Sequence, residues 1–205
     1  MSEPATVFLV DDDIAVRNAL ALWLAQAGIT VKPYPSAQAF LEDYRPEEPG
    51  CLVLDLSMPE MSGLGLQRAL IEKQCRIPII FISGHGDIPT SVQAIKAGAV
   101  DFLEKPFSKE VLLDRIEEAI AEDRRQRDQA DAAASIQARY ERLTPRERQI
   151  MARITAGASN KQIASALGLS TRTVENHRAR VMKKMDATNV AELCQLEAIC
   201  RAGAD

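Results

Sequence analysis

Val7-Phe8-Leu9-Val10-Asp11-Asp12-Asp13 runs four apolar residues straight into three aspartates, and the pattern changes period immediately afterwards. Val16, Ala19, Leu20, Trp23, Leu24 and Ala27 recur at i, i+3, i+4 spacing, which makes the following segment an amphipathic helix. The reading is a strand, an acidic junction and a helix. The same alternation returns at Cys51-Leu52-Val53-Leu54, Ile79-Ile80-Phe81-Ile82 and Val100-Asp101-Phe102-Leu103, with Thr30 to Tyr34 as a weaker fifth strand. Runs as apolar as Ile79 to Ile82 suit strands covered on both faces, so the spacing predicts an α/β module of five β/α units around a doubly wound parallel sheet. Helix punctuation agrees: Ser36, Asp87 and Ser108 stand at N-cap positions, Pro89 in a first turn, and Gly28 and Gly98 just past helix ends.

The chain has 205 residues, 46% hydrophobic and 26% charged, with a net charge of −4. That composition excludes disordered, collagenous and membrane-embedded classes. The charge is unevenly placed. Residues 1–122 hold ten basic and nineteen acidic side chains, a net of −9, whereas residues 141–205 hold eleven and seven, a net of +4. Nucleic-acid binding is therefore expected only at the C-terminal end. No window approaches the roughly 18 to 20 apolar residues of a membrane span, and Met1-Ser2-Glu3-Pro4 lacks a secretory pattern, so no membrane partner and a cytoplasmic location are expected. Cys51, Cys75, Cys194 and Cys200 show no C-x-x-C spacing and read as reduced thiols rather than metal ligands or disulfides.

Ala121 to Arg142 is rich in strong helix formers and free of Gly and Pro, and reads as a helical linker, a solvated connector in preference to a weak coiled coil. Beyond it the pattern is all helical. Thr144-Pro145-Arg146-Glu147 and Ser159-Asn160-Lys161-Gln162 both have capping-box form. The helix carrying Ile163, Ala164 and Leu167 stops at Gly168, and a new one runs from Thr171 to about Met185, making a helix-turn-helix. A fourth helix, from Asn189 to about Arg201, is expected to bury Val190, Leu193 and Cys194.

In an open parallel sheet the loops at the carboxyl ends of the strands build the site. Asp11, Asp12 and Asp13 follow strand one, Asp55 strand three, Ser83 strand four and Lys105 strand five. Carboxylates converging on one rim repel unless a cation joins them, and a small all-oxygen cluster suits Mg²⁺, which also takes phosphate oxygens.

Asp11-Asp12, Asp55 within Asp-Leu-Ser-Met-Pro-Glu-Met-Ser-Gly, Ser83-Gly84 and Lys105-Pro106 resemble, in order and spacing, the receiver domain of two-component response regulators over residues 5 to about 122. The resemblance implies that Asp55 is the phosphoryl acceptor and that Asp12, Asp55 and the backbone carbonyl of Ser57 hold Mg²⁺, with Asp11 assisting through water. It further implies that Lys105 pairs with the phosphoryl oxygens through a cis Lys105-Pro106 peptide, that Ser83 hydrogen-bonds the phosphoryl group, and that Phe102 is the aromatic switch. Ser83 and Phe102 replace the commoner Thr and Tyr. Ser57 and His85 occupy positions that tune phosphoryl lifetime in that family, although for His85 an exposed loop residue is the favoured reading. Asp11-Asp12-Asp13 also contains the Asp-x-Asp of haloacid-dehalogenase-like phosphatases, with Ser83 and Lys105 as partners, but that alternative leaves Asp55 and its sequel unexplained.

In the third C-terminal helix Val174, His177, Val181 and Met185 share one face and are assigned to packing; Arg172, Glu175, Asn176, Ala179 and Lys183 share the other. Leu143-Thr-Pro-Arg-Glu147, Asn160-Lys-Gln-Ile-Ala164, Ser170-Thr-Arg-Thr-Val-Glu-Asn-His177 and Met182-Lys-Lys-Met185 resemble the LuxR/NarL-type DNA-binding domain. The whole chain is similar to NarL/FixJ-type response regulators, nearest the FixJ kind. That likeness implies a receiver at 1–122, a helical linker at 123–140 and a four-helix LuxR-type helix-turn-helix domain at 141–205. It implies base contacts from Glu175, Asn176 and Ala179 and phosphate contacts from Thr171, Arg172, Thr173 and Lys183. Asn176 suits adenine edges; Glu175 either accepts from cytosine or only orients a neighbouring Arg. The expected function is transcription control by a non-enzymatic regulator that catalyses only its own phosphorylation and dephosphorylation. Its expected partners are a sensor histidine kinase, promoter DNA, a second copy of itself and RNA polymerase.

Overall fold

A computed structural model describes residues 5–84 and 88–202, which form two compact units, Met1–Gln126 and Arg127–Asp205. His85 and Asp87 lie outside the described residues.

The N-terminal unit holds five strands, β1 (Thr6–Val10), β2 (Thr30–Tyr34), β3 (Gly50–Asp55), β4 (Ile79–Ser83) and β5 (Asp101–Glu104). All pairings are parallel and the order is β2-β1-β3-β4-β5. The helices between them are α1 (Ile14–Gln26), α2 (Ala37–Asp43), α3 (Gly63–Glu72) and α4 (Ile88–Lys96), with α5 (Lys109–Glu141) following. β1, β3 and β4 are buried throughout, as both-face coverage requires. Side chains alternate across the sheet into two cores: Phe8, Val10, Leu52, Leu54 and Phe81 pack with α2 and α3, while Val7, Leu9, Val53, Ile80 and Ile82 pack with α1 and α5.

Local punctuation is mostly where the residue types place it. Ser36 caps α2, and the Ser108 hydroxyl accepts from Val111 N–H at the start of α5. Asp13 caps α1 and Ser62 caps α3, two caps that the sequence reading did not single out. Gly50 opens β3 against β1 so closely that a Cβ there would lie 1.8 Å from the Thr6 carbonyl oxygen. Its N–H donates to the Asp123 carboxylate at 2.9 Å. α5 buries Leu112, Ile116, Ala119 and Asp123 along one stripe and continues without a break through the segment read as a linker.

The second unit contains α6 (Pro145–Thr155), α7 (Asn160–Leu167), α8 (Thr171–Met185) and α9 (Val190–Ala202). Both expected capping boxes form, Thr144 with Glu147 and Ser159 with Gln162. Gly168 ends α7 in the left-handed conformation at φ 64°, which lets the chain turn into α8 after two residues. Ile150, Met151, Ile154, Ile163, Val174, Val181, Met185 and Leu193 form the core. α9 buries Leu193, Glu197 and Cys200; Val190 and Cys194 are only half-buried, a one-turn difference from the expected stripe. The four cysteines are unpaired, and burial followed by the nearby Asp123 charge pushes the Cys51 thiol up to about 12. No helix among the described residues is long and apolar enough to cross a membrane.

Glu147 is buried, yet its carboxylate accepts from Thr144 N–H at 2.8 Å and from Lys184 Nζ at 2.6 Å. Burial alone would raise its pKa; the lysine and the cap outweigh it and hold the carboxyl below the usual 4.5. A depressed carboxylate stabilises the fold above its unfolded pKa and loses that effect as pH falls through the folded value.

Gly50→Ala is expected to destabilise the N-terminal unit by about 1–3 kcal/mol, read by urea unfolding through Trp23, the single tryptophan. Glu147→Gln is expected to weaken the second unit by about 1–2 kcal/mol at pH 7. That difference should shrink once pH drops below 4.5, measured by hydrogen exchange of α6 and α8 in the full chain.

Candidate functional site

β1 and β3 are neighbours in register, with Val10 opposite Leu54, so the next residues, Asp11 and Asp55, emerge side by side at the carboxyl edge. Both are buried, at 1% and 6% exposure. Lys105 reaches them from beyond β5: its Nζ lies 3.0 Å from Asp11 Oδ2 and 2.8 Å from Asp55 Oδ1. The Lys105 backbone N–H donates to the Ser83 carbonyl at the end of β4, and the Lys105–Pro106 peptide is cis as the sequence likeness implies. Ser83 is 1% exposed. Four strand ends thus meet at one place.

The electrostatics follow from burial. Loss of water pushes the Asp11 carboxyl above its usual range, against the opposing pull of the Lys105 ammonium. Burial penalises Lys105 as well, but its bonds to Asp55 and Asp11 win and its pKa is raised, so the ammonium stays charged. The remaining oxygens are also engaged: Ser57 N–H donates to Asp55 Oδ2 at 2.8 Å and Asp13 N–H to Asp11 Oδ1 at 2.9 Å. Arg17, which the sequence reading passed over, donates from Nη1 to the Asp11 carbonyl at 2.6 Å. Its position one turn into α1 was the available signal.

Two carboxylates meet at the centre, fewer than the cluster expected from sequence. Asp13 spends its side chain capping α1, and Asp12 is exposed. Among the described residues no three acidic, His or Cys side chains group to hold a metal. Mg²⁺ asks for less than that, because one or two carboxylates with carbonyl, water and phosphate oxygens satisfy it. Asp11 and Asp55, which meet at the Lys105 ammonium, supply carboxylates of that kind.

Phe102 is half-buried and stacks on Phe81 with centroids 6.4 Å apart. Gly63 fixes the return of the loop after Asp55, since a Cβ there would meet the Asp55 carbonyl at 2.5 Å and Phe81 at 2.9 Å. The aromatic pair therefore lies within reach of the same strand end.

In the second unit α8 separates its faces as expected. Val174, Val181 and Met185 are buried and His177 is half-buried, while Thr171, Arg172, Glu175, Asn176, Ala179 and Lys183 are exposed and Thr173 is half-buried. Lys184 is drawn away from solvent by Glu147 and the Arg142 carbonyl, and Arg178 donates to Asn160 of α7. The exposed face is short, polar and basic at its end, which suits entry of a helix into a major groove.

Residues 7–117 match the response regulator receiver domain, and residues 141–196 match the bacterial regulatory proteins of the luxR family. The response regulator protein TmoT of Ectopseudomonas mendocina is 46% identical over 194 residues, covering 95% of this chain and 88% of its own. The transcriptional regulatory protein FixJ of Rhizobium meliloti is 46% identical over 191 residues, covering 93% and 94%. Among solved structures, the response regulator StyR superposes with a TM-score of 0.87 at 43% identity, covering 95% of this chain and 98% of its own. Full-length FixJ from B. japonicum gives 0.59 at 40% identity, covering 98% and 99%. The receiver match takes in Asp55 and its sequel, which decides against the phosphatase alternative. A receiver domain in front and a luxR-family domain behind, in relatives that align over nearly the whole length, place this chain in the two-component response regulators that control transcription.

Proposed function

We propose that Asp55 is the phosphoryl acceptor and that its modification by a sensor histidine kinase turns the second unit into a promoter-binding dimer. The observation that carries this is the Lys105 ammonium held between Asp11 and Asp55 at the meeting point of the strand ends. An Asp55 oxygen would attack phosphorus as the donor's phosphorus bond breaks. A carboxylate attacks a phosphoryl group poorly unless the transferring oxygens are neutralised. Lys105 would supply one positive charge for that purpose, and Ser83, at the end of β4, would offer its hydroxyl to a phosphoryl oxygen. Asp11, Asp12, Asp55 and the Ser57 carbonyl would hold Mg²⁺, which when bound neutralises the remaining phosphoryl charge. The same charges let water attack the phosphoryl group, releasing inorganic phosphate and restoring the Asp55 carboxylate, so the chain catalyses only its own phosphorylation and dephosphorylation.

Phosphorylation adds about 1.5 to 2 negative charges where Lys105 has been pairing with carboxylates. The ammonium then has a stronger partner, Ser83 shifts toward the phosphoryl group, and Phe102 repacks against Phe81. The surface of α4 and β5 rearranges to pair with a second copy. Moving such an equilibrium from mostly off to mostly on takes about 5.5 kcal/mol, shared between the phosphoryl group and dimerisation on DNA. Glu175, Asn176 and Ala179 would face base edges, and Thr171, Arg172, Thr173 and Lys183 phosphates, at half-sites roughly one helical turn apart. RNA polymerase is the downstream partner, and the cytoplasm, where the chromosome is, the site of action. The functional division proposed is a receiver at 1–122, a connector at 123–140 and a DNA-binding domain at 141–205.

Intact mass after incubation with Mg²⁺ and a small acyl-phosphate donor should show one labile phosphoryl adduct on the wild type and none on Asp55→Asn; an adduct on both would remove Asp55 from its role. On operator DNA, Asn176→Ala should cost about 1–3 kcal/mol and relax preference at one base, whereas Lys183→Ala should weaken all sequences alike and lower the salt slope by about one. Anisotropy titrations across salt concentrations distinguish the two.

A further inference from the structure

Among the described residues, His177 Nδ1 is the buried side-chain nitrogen or oxygen that lacks a hydrogen-bond partner. The ring's other nitrogen, Nε2, is neither buried nor bonded to a described residue. A neutral imidazole has one N–H donor and one acceptor nitrogen. Placing the proton on Nδ1 would bury a donor with nothing to receive it, at the full desolvation cost of that group. With the proton on Nε2, the ring holds one N–H that no described residue uses.

Packing alone does not call for this side chain. Val174, Val181 and Met185 already fill the core side of α8, and an apolar residue at 177 would leave no orphaned nitrogen. Helical spacing puts His177 at the edge of the face that buries Val174 and Val181, with Thr173 a turn before it and Arg180 a turn after. Arg180 is exposed. Two neighbouring cations are used internally, Arg178 donating to Asn160 at 3.3 Å and Lys184, two turns after His177, to Glu147 at 2.6 Å. When a helix lies in the major groove, its outward face meets base edges and its flanks meet the sugar-phosphate walls.

We propose that His177 is a DNA contact, its Nε2–H donating to a phosphodiester oxygen on the wall of the groove beside Arg180. The inference rests on α8 entering the groove and adds to the base and phosphate contacts assigned above. A contact to phosphate carries no sequence information, so a random duplex of about 30 base pairs is a sufficient probe.

Binding of the full chain to that duplex is followed by anisotropy at pH 8 over a salt series. His177→Phe keeps the ring's bulk and removes the donor; it should weaken binding about tenfold with an unchanged salt slope, because an uncharged donor releases no counterion. His177→Gln, which restores an N–H, should recover most of the loss. Hydrogen-exchange protection of α8 is expected to match wild type in both variants. Wild-type affinity in His177→Phe overturns the proposal, and so does a loss that Gln fails to rescue while α8 stays protected. Lys183→Ala serves as the control, with an expected fall in slope of about one. If it and His177→Phe both leave affinity and slope unchanged, α8 is not on the duplex and the proposed groove contacts fail together.

Discussion

One ammonium group holds the N-terminal site together. The parallel register of β1 and β3 delivers Asp11 and Asp55 to the same buried edge, and two carboxylates there would repel with little water to screen them. Lys105 meets both at hydrogen-bond distance. It can do so because β5 lies next to β4 on the far side of β3, and because its own N–H is fixed to Ser83. The sheet order is thus a condition for the charge balance, and the charge balance allows two acids to stay buried. The lysine thereby ties the ends of β1, β3 and β5 together.

The surroundings of the site leave little room for compromise. Gly63 brings the loop after Asp55 back against its own strand with Phe81 on the other side, and Phe81 stacks with Phe102 of β5. A displacement near Ser83 therefore meets packed aromatic rings rather than solvent. Close packing converts small shifts into a choice between discrete arrangements. At the opposite edge of the sheet Gly50 is wedged against Thr6 and bonded to Asp123 of α5. The strand that ends in Asp55 is thus gripped where it begins.

The second unit is built on different physics. Its described residues form helices without a sheet, and these short helices are defined by their ends: two reciprocal capping boxes, a left-handed glycine and a serine cap in front of α8. One ion pair, the half-buried Lys184 with the buried Glu147, links the start of α6 to the end of α8. What remains exposed on α8 is a narrow set of polar side chains between two flanks.

The alternation of apolar runs and helical periods was enough to predict five parallel strands: β1, β3 and β4, buried on both faces, are written as apolar runs, and the less buried β2 and β5 keep their place in the alternation. The capping boxes and the α7–α8 turn were legible for a similar reason, since each is a local arrangement of neighbouring residues. The residues that end the strands were legible too, as positions. Their engagement was not. Asp13 follows strand one as closely as Asp11 does, yet it caps α1 while Asp11 turns inward to Lys105 across 94 residues of chain. Asp123, which heads a polar stretch that reads as linker, is buried against Gly50, and Glu147 is a surface residue by type but buried by its partner 37 positions away. Sequence by itself determined the elements, their order and the candidate groups, since these depend on local pattern. Tertiary structure alone decided which carboxylates meet a cation, which cap a helix and which nitrogen of His177 is left without a partner, because those outcomes depend on distances between residues that the chain's order does not record.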